Sequence, residues 1–74
     1  MRLIVEGYNE YGVEYLEKPS SRVWKNSGMT MTSHNDSFHD EMVKAVSDRA
    51  QKMKDQEGWF AVRIIHNGKP LKEI

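Results

Sequence analysis

The chain has 74 residues, 11 basic and 11 acidic, for a net charge of +0 with neutral histidines, and it contains no cysteine. That length allows one small domain, and the missing cysteine removes disulfides, thiolate metal sites and a cysteine nucleophile together. A neutral total provides no general field for drawing in nucleic acid or an anionic membrane, and no apolar run approaches the ~20 residues of a membrane span.

Arg2–Tyr8 is β-branched and reads as a strand. Asn9-Glu10-Tyr11-Gly12 carries turn residues, and Val13–Leu16 then returns as the second strand of a hairpin. The alternative, a short helix over Tyr8–Glu17, is opposed by Gly12 at its centre. Glu6, Glu10, Glu14 and Glu17 stand here against Arg2 alone. Such a cluster forms a solvated face or an acidic patch for a basic partner.

Lys18-Pro19-Ser20-Ser21 breaks the chain. Arg22-Val23-Trp24 and Met29–Thr32 flank Lys25-Asn26-Ser27-Gly28, which predicts a second hairpin with Trp24 opposite Met29.

Ser37–Gln56 is the one strongly periodic stretch. At 100° per residue, Phe38, Met42, Ala45, Val46, Ala50 and Met53 share an arc, while Asp40, Lys44, Asp48 and Lys52 alternate in sign on the opposite side. Ser37 is the expected N-cap, with Asp36 as its rival, and Gly58 the left-handed stop. Arg49 falls within the apolar arc, as a snorkelling stem or a guanidinium reaching a pocket.

Trp59–His66 is the clearest β signal, and Asn67-Gly68 predicts a type I′ hairpin into Lys69–Ile74. A two-residue loop sets Ile64 opposite Leu71 and Val62 opposite Glu73. Phe60, Val62, Ile64 and Leu71 then share the helix side, and Trp59, Ala61, Arg63, Ile65 and Ile74 the other. Pro70 makes the last strand an edge.

The expected fold is one α+β domain over residues 1–74, a mostly antiparallel sheet of about five short strands with one helix on one face. A helix of this length covers roughly 30 Å by 10 Å, so the second sheet face stays uncovered. Trp59, Arg63, Ile65, Trp24, Met29 and Tyr15 are expected on or beside that face, with Glu10 and Glu14 on the acidic hairpin; aromatics, methionine and arginine are enriched at interface cores.

The function expected is a non-enzymatic protein-interaction domain. It docks through the uncovered face or the acidic hairpin on a partner protein, or on a second copy of itself as a homodimer. With no targeting segment or active-site motif, the chain suits a small cytoplasmic accessory or inhibitor protein of the kind bacteriophages encode. The competing reading is single-stranded nucleic-acid binding by Trp59, Arg63 and the basic C-terminal hairpin. His34, Asp36, His39 and Asp40 lie close together but match no metal-ligand spacing, and no nucleophile elbow or phosphate cradle occurs. No cofactor, metal or membrane is expected.

Overall fold

The computed structural model describes residues 7–74. Four strands and one long helix follow in the order β1 (Asn9–Leu16), β2 (Lys25–Ser33), a 3-10 turn (Asp36–Phe38), α1 (His39–Glu57), β3 (Ala61–His66) and β4 (Lys69–Glu73). The described sheet therefore has four strands rather than about five. It is antiparallel throughout, in the order β2-β1-β3-β4. Residues 2–6 of the strand expected over Arg2–Tyr8 lie outside the described residues, and Gly7 and Tyr8 belong to no strand.

The first half corrects the two expected hairpins. Asn9–Gly12 is no turn: it opens β1, which pairs with β2 on one side and β3 on the other. Asn26-Ser27-Gly28 is no turn either, because β2 runs through it. Gly12 faces Thr30 while Glu14 faces Asn26, so Val13 alone on β1 opposes Ser27, Gly28 and Met29 on β2. Gly28 absorbs the excess at φ 84°, a left-handed geometry that glycine adopts without a Cβ penalty. Asn26 Oδ1 accepts from the Gly28 amide at 2.7 Å and holds the bulge. Turn chemistry has here made a bulge inside a strand.

The helix and the last hairpin form close to expectation. Gly58 ends α1 at φ 69°, its amide bonded to the Lys54 carbonyl at 2.9 Å. The start differs: Phe38 is the N-cap of α1 and makes no side-chain capping bond, while Asn35, not Ser37 or Asp36, caps the 3-10 turn before it, accepting from the Ser37 amide at 2.9 Å. Asn67 (φ 49°) and Gly68 (φ 82°) make the two-residue turn, with His66 opposite Lys69 and Ile65 opposite Pro70. Beyond Pro70 a bulge displaces Leu71, so Ile64 faces Lys72 and Arg63 faces Glu73. That shift also brings Ile74 onto the helix side, where it packs against the core.

The core is Tyr11, Val13, Val46, Ala50, Val62 and Ile64, each at most 1% exposed. Val13 lies opposite Ile64 and Tyr15 opposite Val62, so the alternate residues of β1 and β3 build one floor beneath α1. Val46 and Ala50, four apart, cover it from the helix. Phe38 and Phe60, expected in this core, are 48% and 51% exposed because each lies just outside its regular element. No core residue comes from β2; Met29 and Met31 only lean on the cluster, half-buried. No described helix is long and apolar enough to cross a membrane.

Candidate functional site

The expected site residues divide between the two faces. Arg63 and Glu14 are neighbours across β3 and β1 on the side away from α1. The Arg63 Nε and Nη2 groups donate to Glu14 Oε1 at 2.9 and 2.7 Å, and the guanidinium stands 4.3 Å from the Trp24 ring centre. Ile65, between Gly12 and Pro70, completes this face. Arg63, Ile65 and Trp24 thus lie on or beside the face expected of them, and Glu14, expected on the acidic hairpin, joins them there; Arg63, Glu14 and Trp24 already engage one another.

Trp59, Tyr15 and Met29 sit on the helix side instead. The left-handed turn at Gly58 reverses the chain and stacks Trp59 on Tyr15, with ring centres 3.9 Å apart and planes 9° from parallel. Both rings pack against the core. The acidic hairpin also dissolves. Glu6 lies outside the described residues, Glu14 is held by Arg63, and Glu17 pairs with Lys25 at 3.7 Å. Glu10 accepts from the Tyr8 hydroxyl at 3.3 Å.

A polar network absent from the sequence reading joins the starts of β1 and α1 to the end of β3. Asn9, 5% exposed, donates to the Gly7 carbonyl at 3.0 Å and to Asp36 Oδ1 at 2.8 Å. Its own Oδ1 lies 2.7 Å from His66 Nε2, which carries a proton and donates there, since the amide nitrogen is already directed elsewhere. Tyr11 Oη lies 2.8 Å from His39 Nδ1, and the His39 and His66 ring centres are 4.9 Å apart. His39 therefore joins His66 and Tyr11, while His34 packs edge-on against Tyr8. Among the described residues no three His, Asp or Glu side chains are placed to hold a metal ion.

Burial pushes the Tyr11 phenol above its ordinary value, and the carboxylates of Asp36 and Asp40 add to the shift. The folded state keeps this proton to higher pH than the unfolded chain does. The stabilisation is therefore complete below the ordinary tyrosine range, about pH 10, and is lost as pH rises through the elevated folded value. Urea midpoints should fall more steeply above pH 10 for the native chain than for Tyr11→Phe. Parallel curves would contradict this assignment.

Compared with known proteins, the chain matches no family model, no curated protein and no solved structure. Its site must be read from its own geometry.

The two sheet edges differ sharply. β4 carries Pro70, Lys69, Lys72 and a bulge, features that discourage a further strand. β2 is the other edge among the described residues, and from Asn26 to Ser33 it holds neither a proline nor a charge. Beyond the Ser27–Gly28 bulge, Met29–Ser33 is uninterrupted strand. Between this edge and α1 lies an open depression of about 500 Å³, lined by Ser27, Gly28, Met29, Arg49, Lys52, Met53 and Gln56. A second, of about 380 Å³, continues along Met29, Thr30, Met31, Ala45 and Arg49.

The depression exists because α1 is seated over β1 and β3, leaving β2 beside the helix rather than beneath it. Arg49 is accordingly exposed at its rim. Met29–Thr32 is a strand as expected, but the turn reading of Lys25–Gly28 concealed that the strand continues through those residues and forms a sheet edge.

Proposed function

We propose that this chain is a non-enzymatic protein-interaction domain whose principal docking element is the β2 edge with the depression beside it. The observation that carries the reading is the contrast between edges: β4 is guarded by proline, lysines and a bulge, whereas Met29–Ser33 is not. An unguarded strand presents backbone donors and acceptors that pair readily with another chain. The methionines next to it adapt to varied partner side chains.

This places the docking element away from the uncovered sheet face. There Arg63, Glu14 and Trp24 satisfy one another, which reduces what they can offer a partner. The nucleic-acid reading loses support for a related reason, because Trp59 is stacked on Tyr15 and Arg63 is held by Glu14.

The reading is tested by placing the photo-crosslinker p-benzoylphenylalanine at position 30 or at position 71 and irradiating source cells. A discrete protein adduct from position 30 that is absent from position 71, on the guarded edge, is expected. Equal labelling from both, or none from either, would sink the reading.

A further inference from the structure

The β2 edge offers backbone pairing, but backbone pairing alone does not choose a partner. Selectivity has to come from the side chains that flank the added strand. On the outward side these are Thr30 and Thr32, small and uncharged. On the helix side they are Met29 and Met31 at strand level, with Ala45, Arg49, Lys52 and Met53 facing the same depression from α1. The apolar part is mostly thioether, which adapts to different shapes. The charged part is cationic only. Among the described residues neither Arg49 nor Lys52 forms an ion pair, the pairs present being Lys25–Glu17 and Arg63–Glu14. Asp55, one turn from Lys52, instead accepts from Gln51 at 3.1 Å.

From this geometry we infer that the β2 edge takes up an extended acidic segment of a partner protein. The segment adds a fifth strand along Met29–Ser33 and directs carboxylate side chains toward Arg49 and Lys52. This rests on the interaction-domain reading above and names the partner's chemistry. An added strand lies about 4.8 Å beyond β2, and its alternate side chains point to the helix side. Those side chains meet the methionine floor below and the two cations above. The preferred segment therefore alternates small outward residues with inward positions that are acidic or apolar.

Charge also argues against a second copy as the occupant. Two β2 edges joined antiparallel about a two-fold axis would put both helices on one side of the continuous sheet. Arg49 and Lys52 of each copy would then flank one junction, four cations with no carboxylate among the lining residues to offset them. Like charges so placed repel. An acidic segment turns the same charges into attraction.

The test is a titration of the labelled chain, followed by amide shifts, at about 50 mM salt, where such charges are weakly screened. The probes are the peptides Ac-TETVTET-NH2 and Ac-TKTVTKT-NH2, which share backbone and apolar content and differ only in charge. The acidic peptide should shift amides of Gly28–Ser33 and of α1 around Arg49–Met53, and bind about tenfold more tightly than the basic one. The double variant Arg49→Glu, Lys52→Glu should reverse that preference; both side chains are exposed, so the fold is retained.

Equal binding of both peptides at the edge would overturn the acidic preference while leaving the interaction reading intact. No binding of the acidic peptide at about millimolar concentration, or shifts centred on Arg63 and Ile65, would overturn the proposal. So would binding that appears only after residues 1–6 are deleted, since the chain's own first segment would then be the occupant. Failure of the peptides together with no crosslink from position 30 would remove the interaction reading as well.

Discussion

Ile64→Ala is expected to remove half or more of the folding stability. Ile64 is fully buried on β3, opposite Val13 and in one cluster with Val46 and Ala50. Truncating such a side chain costs about 2–5 kcal/mol, the transfer free energy of the lost carbons plus the cavity left behind. A domain of this length holds roughly 4–11 kcal/mol in total, so the loss is a large share of it, Ile64 being one of six fully buried apolar side chains among the described residues. No disulfide offsets the loss. The next residue is the control: Ile65 faces the opposite side of the sheet and is only half-buried, so Ile65→Ala should cost about 1 kcal/mol. Urea unfolding followed by circular dichroism and by tryptophan fluorescence, which reports on the Trp59–Tyr15 stack, gives both numbers. Equal costs would mean that the helix does not cover the face assigned to it.

That face was legible in the sequence because its signals are local. Val46 and Ala50 lie on the periodic arc of the helix, Val62 and Ile64 alternate along a strand, and Gly58 and Asn67-Gly68 stop or turn the chain by their own φ preferences. The last hairpin was legible to its fourth residue, after which the bulge at Leu71 reversed the expected sides for Ile74. Nothing local marks that bulge; it places Ile74 against the core, which is a tertiary gain.

The first half was misread for a different physical reason. Asn9, Gly12, Asn26 and Gly28 are turn formers, and two turns were the economical reading. The structure uses Asn9 for long-range hydrogen bonds, leaves Gly12 in regular strand and spends Gly28 on a bulge. Pairing of β1 with both β2 and β3 fixes these outcomes, and neither pairing is visible in a window of ten residues. The docking edge was hidden by the same step. Which strand lies at an edge depends on sheet order, and β1 takes a central place only because α1 carries the chain across it from β2 to β3.

Asn9→Ala is expected to have the second largest effect, about 1–3 kcal/mol, although it removes no apolar surface. Asn9 is nearly buried and uses its amide three times, to the Gly7 carbonyl, Asp36 and His66. Deleting it leaves His66 Nε2–H without its acceptor and takes from Asp36 its hydrogen-bond donor. Stranding a buried polar group costs about 1–3 kcal/mol, and here the half-buried His66 bears most of it, since water can replace Asn9 at the exposed Asp36. The lost bonds tie the start of β1 to the turn before α1 and to the end of β3, so the helix entry loosens with them. Asp36→Ala alone should cost less, because the Asp36 side chain sits at an exposed position and the Asn9–His66 bond survives. The double variant should then fall short of the summed single costs by at least about 0.5 kcal/mol, as expected for residues in one network. Urea midpoints measure the energies, and the His66 ring nitrogen resonances report whether its Nε2 proton remains protected from solvent. Strict additivity with an unchanged His66 signal would show that Asn9 stabilises its strand without organising the network. In that case the entry of α1 would depend on the 3-10 turn that Asn35 caps.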